Sequence, residues 1–155
     1  MSVTIHPAAR YWEEFQVGEV FPSPARTVTE TDIVNFCGVS GDFNPLHSDR
    51  TFARTGLFGE PIAHGLLVLS IATGAMSRLG FVEGTVDAFL GLNWRFTAPV
   101  KIGDTVRVEF QVKEKKESKM ESHGILVLEV TIKNQEEEVV QKGDWYLLVR
   151  KKAGG

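Results

Sequence analysis

Apolar and polar residues alternate along the second half of the chain, from about residue 85 onward. Leu90, Leu92, Trp94 and Phe96 alternate with small or polar residues, the period-two pattern of a strand with one buried face. Similar patterns predict three further strands, at residues 106–112, 124–133 and 139–150. Short polar connections, such as residues 134–136, predict that these strands are antiparallel. Gly143 predicts a bulge in the strand at residues 139–150.

The first half of the chain has helical periodicity instead. Residues 29–32 resemble a helix N-terminus, so a short helix is expected at residues 32–37. Residues 62–79 have apolar side chains on every face of a helix, which is typical of a buried helix. One buried helix and at least four one-sided strands predict an α+β hot-dog fold, in which an antiparallel β-sheet wraps around a central α-helix. Residues 1–155 show no repeat or linker and are expected to form a single domain.

Composition and net charge limit the classes of protein to which this chain can belong. Apolar residues make up 43% of the chain and charged residues 24%, as in globular proteins, and the net charge is −3. A negative net charge does not favour nucleic-acid binding, which needs clustered positive charge. The apolar run at residues 66–76 is shorter than the ~20 residues of a membrane span. Cys37 is the only cysteine and the N-terminal segment has no apolar signal core, so we expect a cytoplasmic protein without disulfides.

The stretch FCGVSGDFNPLHSD, residues 36–49, places Asp42 and His47 five residues apart between the two predicted helices. We expect a loop here, stiffened by Pro45, whose ring fixes its own φ angle. A stiff loop can hold an acid and an imidazole in fixed geometry, as catalysis requires. The alternative is ordinary turn chemistry, in which Asp42 and Asn44 bond to the backbone nearby. The residue pattern alone leaves both interpretations open.

The same stretch resembles the hydratase motif of the MaoC-like hydratases, which include the (R)-specific 2-enoyl-CoA hydratases. The matching positions are Phe36, Val39, Ser40, Gly41, Asp42, Asn44, Pro45, Leu46, His47 and Ala53. Residues 58–70, FGEPIAHGLLVLS, resemble the family's start of the central helix, and residues 11–21 its usual opening. The resemblance therefore covers nearly the whole chain.

The resemblance implies reversible addition of water to a trans-2-enoyl thioester, usually of coenzyme A, to give the (R)-3-hydroxyacyl product. Asp42 would be the base and His47 its partner, holding one water within ~3 Å of both groups. The backbone N–H of Gly65 would bind the negative charge that develops on the thioester oxygen. Asn44 and His64 would have supporting roles, with capping of a helix as the alternative for His64. The reaction requires no metal ion and no cofactor besides the coenzyme A of the substrate.

Three other functions are compatible with the same fold. One is a hot-dog acyl-CoA thioesterase, in which a carboxylate activates water against the carbonyl carbon. The second is a non-catalytic subunit that binds acyl chains or a partner. The third is a dehydratase subunit acting on a carrier-protein-linked thioester. For all of them we expect a homodimer or an assembly of dimers, with neither nucleic acid nor membrane as a partner. Four cations are candidate ligands of the coenzyme A phosphates: Arg54, Arg78, Arg95 and Lys101.

Overall fold

The computed structural model describes residues 5–153, so residues 1–4 and 154–155 of the expected domain lie outside the described residues. The helices are α1 (Glu30–Ser40), α2 (Pro45–Ser48), α3 (Arg50–Arg54) and α4 (Gly65–Leu79), preceded by a 3₁₀ turn at Trp12–Glu14. The strands are β1 (Val20–Pro22), β2 (Arg26–Thr27), β3 (Val86–Phe96), β4 (Thr105–Glu117), β5 (His123–Lys133) and β6 (Val139–Arg150). All four predicted strands are present.

The strands form one antiparallel sheet in the order β1-β4-β5-β6-β3, and β2 also pairs with β4. The predicted bulge at Gly143 is wrong, because Gly143 pairs in regular register with Trp94 on one side and Val130 on the other. A side chain there would place its Cβ 1.9 Å from the carbonyl oxygen of Asn93. Glycine is therefore required at this position for the close approach of β3 and β6.

Helix α4 packs against the concave face of the sheet, as the hot-dog arrangement requires. Its buried residues, Leu67, Val68, Ala72 and Met76, join the buried sheet residues in one apolar core. The prediction that this helix is buried on every face is wrong: the side chain of Leu66 is 58% exposed. The sheet of a single chain covers only one side of α4. None of the helices described in residues 5–153 is long and apolar enough to cross a membrane.

Strand β3 lies at an edge of the sheet and pairs only with β6 among the described strands. The predicted buried face is not formed, because four large apolar side chains of β3 are 40–55% exposed: Phe89, Leu90, Leu92 and Phe96. An edge strand has a neighbour on one side only, and a register shift between Phe89 and Gly91 further interrupts the alternation. The β3 edge of the sheet, with its exposed apolar side chains, is therefore suited to pairing with a further strand.

Candidate functional site

Local hydrogen bonds between side chains and backbone shape the stretch that contains Asp42 and His47. Helix α1 ends at Gly41, whose φ of 75° lies in the left-handed region that glycine adopts easily. Asp42 Oδ1 then accepts the N–H of Asn44 at 3.1 Å, and Asn44 Oδ1 accepts the N–H of Leu46 at 3.0 Å. Asn44 thus caps α2. The expected loop is shorter than predicted, because His47 lies on α2.

His47 has a defined tautomer. Its Nδ1 lies 2.7 Å from the carbonyl oxygen of Ile62, which can only accept a hydrogen bond, so Nδ1 carries the proton. In the neutral ring, Nε2 is then unprotonated and can accept a proton. The backbone at Ile62 therefore fixes the orientation of the His47 ring, as a carboxylate or carbonyl partner commonly does.

His64 lies directly against His47, with ring centroids 3.8 Å apart and ring planes at 28°. Its side chain is 3% exposed, and its Nε2 donates to the backbone oxygen of Asp42 at 3.0 Å. His64 occupies the N-cap position of α4, but its side chain makes no capping hydrogen bond, so the alternative capping role is wrong. The imidazole instead contacts both Asp42 and His47.

The structure thus brings Asp42, His47 and His64 together, with one ligand-type atom of each residue within 4.8 Å of the others. The closest approach of the Asp42 carboxylate to His64 is 4.0 Å, from Oδ2 to Nε2, and the Asp42 side chain is 51% exposed. A metal ion bound to both imidazoles would have to lie in both ring planes about 2 Å from each nitrogen. Stacked rings do not direct their lone pairs to such a point. The arrangement is suited to holding a small hydrogen-bonding molecule instead.

Gly65 is the first residue of α4, where backbone N–H groups have no partner within the helix. Among the described residues, the Gly65 N–H donates no backbone hydrogen bond. A Cβ at this position would lie 2.6 Å from the Phe96 ring, so glycine also allows the present close packing. This geometry is compatible with the expected anion-binding N–H and also with a packing role for the glycine.

An apolar cleft of about 620 Å³ begins at the first turn of α4. Its lining residues are Phe58, Ile62, Ala63, Gly65, Leu66, Val68, Phe96, Thr97, Ala98, Pro99, Val100 and Gln141. Asp42 and His47 are not in this lining; they adjoin it through Ile62, which bonds to His47, and through His64. The arrangement places an acid and a base beside an apolar cavity that has an unpaired backbone N–H.

Sequence reasoning missed Gln141, which lines this cleft and is 2% exposed. Its amide Nε2 donates to the carbonyl oxygen of Gly65 at 3.0 Å. No signal for this residue was available in the sequence, because regular alternation places Val140 and Gln141 on opposite faces of a strand, and both are buried only through an irregularity in strand pairing.

The four candidate phosphate-binding cations lie in three places. Arg54 lines a small cleft of about 280 Å³, and the Lys101 backbone pairs with Ile62 between that cleft and the apolar one. Lys101 also forms an ion pair with Glu60 at 2.7 Å. Arg78 and Arg95 line two other depressions of the surface. Arg54 and Lys101 therefore neighbour the apolar cleft without lining it, and the other two cations line separate depressions.

Comparisons with known proteins agree on one family. Residues 14–134 match the model of the MaoC like domain. Protein MaoC of Klebsiella aerogenes is 41% identical over 111 residues, which cover 72% of this chain and 33% of that protein. The (R)-specific enoyl-CoA hydratase of Aeromonas caviae is 38% identical over 88 residues, 57% of this chain and 64% of the hydratase. The chain thus spans less than two thirds of each of these two relatives.

A solved structure extends the comparison to nearly the whole chain. The X-ray structure of a monoamine oxidase regulatory protein from Archaeoglobus has 41% sequence identity and a TM-score of 0.88. The match covers 94% of this chain and 97% of that one. The family model, the relatives and the hot-dog architecture together show that this chain belongs to the MaoC-like domain family.

Proposed function

We propose that this protein is an (R)-specific enoyl-CoA hydratase, equivalently a 3-hydroxyacyl-thioester dehydratase, formed by residues 1–155 as one MaoC-like domain. The observation that carries the proposal is the cluster of Asp42, His47 and His64 within 4.8 Å, beside an apolar cleft that contains the unpaired Gly65 N–H. The similarity to the Aeromonas caviae hydratase supports the same reaction. The substrate would be a trans-2-enoyl thioester of coenzyme A.

In the proposed reaction, Asp42 and His47 hold one water molecule against C3 of the substrate. Asp42 is the base, and the unprotonated Nε2 of His47 provides the second acceptor. The water oxygen bonds to C3, and a proton is delivered to C2 on the same face. Negative charge that develops on the thioester oxygen is stabilised by the Gly65 N–H, at the positive end of α4.

Two further residues support this pair in the proposal. Asn44 caps the helix that carries His47, and His64 contacts both members of the pair. Conjugation with the thioester already makes C3 electrophilic, so the reaction calls for no metal ion or redox cofactor. The supporting residues would act by fixing geometry rather than by exchanging protons with the substrate.

The decisive experiment uses the purified protein with crotonyl-CoA and follows the loss of the conjugated chromophore. We expect hydration, with (R)-3-hydroxybutyryl-CoA as the product on chiral analysis. Asp42 and His47 lie on one side of the bound substrate, and the Gly65 N–H holds the thioester carbonyl in place. Water can therefore add to only one face of the double bond. Predominantly (S) product would contradict the proposal. Release of free coenzyme A without hydration would favour the thioesterase, and activity restricted to carrier-protein thioesters would favour the dehydratase subunit.

We also propose a cytoplasmic homodimer, or an assembly of such dimers, in which the β3 edges of two copies meet. The support is the row of exposed apolar side chains on this unpaired strand edge, including Leu90 and Leu92. Sedimentation should give at least twice the chain mass of 17.2 kDa at micromolar concentration. Leu92→Arg should shift the protein toward monomers. Wild-type protein that sediments only as monomers would contradict the dimer.

Coenzyme A phosphates would bind at Arg54 and Lys101. The guanidinium of Arg54 pairs with no described carboxylate, and its cleft adjoins the apolar one across the Ile62–Lys101 bridge. Arg54→Ala should raise KM for crotonyl-CoA without lowering kcat, and should leave a crotonyl-pantetheine thioester, which lacks the nucleotide phosphates, unaffected. Arg78→Ala is the matched control, since it removes the same charge from a different cleft. Equal effects of both variants would contradict the assignment.

A further inference from the structure

Gln141 is a buried polar residue whose orientation depends on an irregularity in the sheet. In the pairing of β5 with β6, Ile132 faces Gln141 but Lys133 faces Val139, so Val140 is an extra residue on β6. Val140 and Gln141 are consequently both buried, although consecutive strand residues normally point to opposite faces. Bulges next to functional sites commonly re-aim a side chain in this way.

Both ends of the Gln141 amide have partners. Nε2 donates to the carbonyl oxygen of Gly65 at 3.0 Å, and Oε1 accepts from the indole Nε1 of Trp94 at 2.9 Å. The side chain thus joins the edge strand β3, the neighbouring strand β6 and the first turn of α4. A buried amide is costly unless it is bonded, so this bridge holds the amide in one orientation.

The first turn of α4 has a specific need for such a bond. A Cβ at residue 65 would lie 2.6 Å from the Phe96 ring, so glycine fits the present packing without a shift of that ring. Glycine has the largest backbone freedom of any residue, so residue 65 itself restrains its backbone little. The hydrogen bond to the Gly65 carbonyl restricts the same residue whose N–H is the proposed oxyanion donor. Stabilisation of a developing charge depends on such a donor being held in place in advance.

We propose that Gln141 is a positioning residue for the oxyanion-binding N–H, acting through Gly65 and anchored by Trp94. The proposal rests on the hydratase function proposed above. Gln141 does not touch the reacting atoms and exchanges no proton. It fixes the backbone of Gly65. Gln141 therefore contributes to stabilising the transition state, in which the thioester oxygen carries charge.

The test is Gln141→Leu, which removes both hydrogen bonds and keeps a side chain of similar length. Loss of a whole oxyanion donor costs ~10²–10³ in kcat, so a displaced donor should cost roughly 10-fold to 100-fold. KM for crotonyl-CoA should change less than about threefold, because the interaction is made mainly in the transition state. The pH profile of kcat should keep its wild-type shape, because Asp42 and His47 are untouched.

Val149→Ala is the matched control. Val149 is a fully buried residue of the same strand with an apolar side chain, so the variant should lower the melting temperature without lowering kcat at 25 °C. If Val149→Ala lowered kcat as much as Gln141→Leu, or if Gln141→Leu kept wild-type kcat, the positioning role would be wrong. A wild-type protein without hydratase activity would instead overturn the proposed function itself.

Trp94→Phe provides a second test in case Gln141→Leu does not fold. It keeps an aromatic ring on β3 but removes the indole N–H that anchors Gln141 Oε1. We expect a smaller decrease in kcat, about threefold to tenfold, again with KM nearly unchanged. Unchanged kcat in a folded Trp94→Phe protein would show that the anchor is dispensable and would overturn this part of the proposal.

Discussion

The stretch from Gly41 to Asp49 and the sheet strands β4 to β6 are held by opposite kinds of interaction. In the stretch, side chains bond to backbone groups two to five residues away, as Asp42, Asn44 and Ser48 do. In the sheet, apolar side chains such as Leu128 and Trp145 are fully buried against residues far away in sequence. Each buried large side chain contributes about 1.5–3 kcal/mol, whereas a single cap contributes about 1 kcal/mol. The proposed chemistry and the stability of the fold are therefore assigned to different regions.

The largest expected effect tests the chemical region. Asp42→Asn and His47→Gln should each lower hydration of crotonyl-CoA by ~10²–10⁴-fold, and the double variant should be little worse than either single one. The melting temperature should change little, because Asn at position 42 can accept the same turn hydrogen bond. Turnover at saturating substrate, with thermal unfolding in parallel, checks this prediction. Near-wild-type turnover in Asp42→Asn would mean that the base lies elsewhere, and His64 would be examined first.

The complementary change is Leu128→Ala in the sheet. Removing a fully buried leucine side chain should lower the free energy of unfolding by about 2–5 kcal/mol, because the sheet cannot close the cavity completely. Urea unfolding measures the loss, and kcat at 25 °C should stay within about twofold of wild type. A large decrease in kcat in protein that is still folded would show that the two regions are coupled after all.

Asn44→Ala tests a residue that affects both stability and the proposed chemistry, because its side chain caps the helix that carries His47. We expect a loss of about 1 kcal/mol in unfolding free energy and a partial loss of kcat, about 10-fold, as the position of His47 loosens. Asn44→Asp keeps the capping oxygen and should recover most of the stability. If neither stability nor kcat changed in Asn44→Ala, the cap would be unimportant for both.

The smallest effect concerns a charge cluster away from the site. Hydrogen bonds from Arg150 and His123 lower the pKa of Asp87 from 3.8 to about 2. A lowered pKa stabilises the fold above the ordinary value, and this contribution is lost as the pH falls from 3.8 through about 2. Asp87→Asn should cost less than about 1 kcal/mol near neutral pH, because such pairs are partly exposed. The difference between wild type and variant should shrink over this acid range; a difference independent of pH would contradict the assignment.

Much of the secondary structure and of the candidate site could be predicted from short-range patterns in the sequence. Alternation predicted all four long strands, and the motif at residues 36–53 singled out Asp42 and His47 as candidate site residues, because a motif of that length constrains many positions at once. The turn chemistry of Asp42 and Asn44 was also readable, since both bond to residues two positions away. Local geometry of this kind depends on neighbours that the sequence itself supplies.

Tertiary structure decided the features that depend on partners distant in the chain. His64 stacks on His47, Gly143 faces the Asn93 carbonyl, and Gln141 reaches Gly65, which lies 76 residues earlier. The exposed face of α4 and the open edge at β3 likewise followed only from seeing which sides the sheet covers. Sequence periodicity determines which residues share a face of an element. Which element covers that face depends on strand order and register. Strand order and register bring together residues that are far apart in the chain, and separation along the chain does not determine their distance in space.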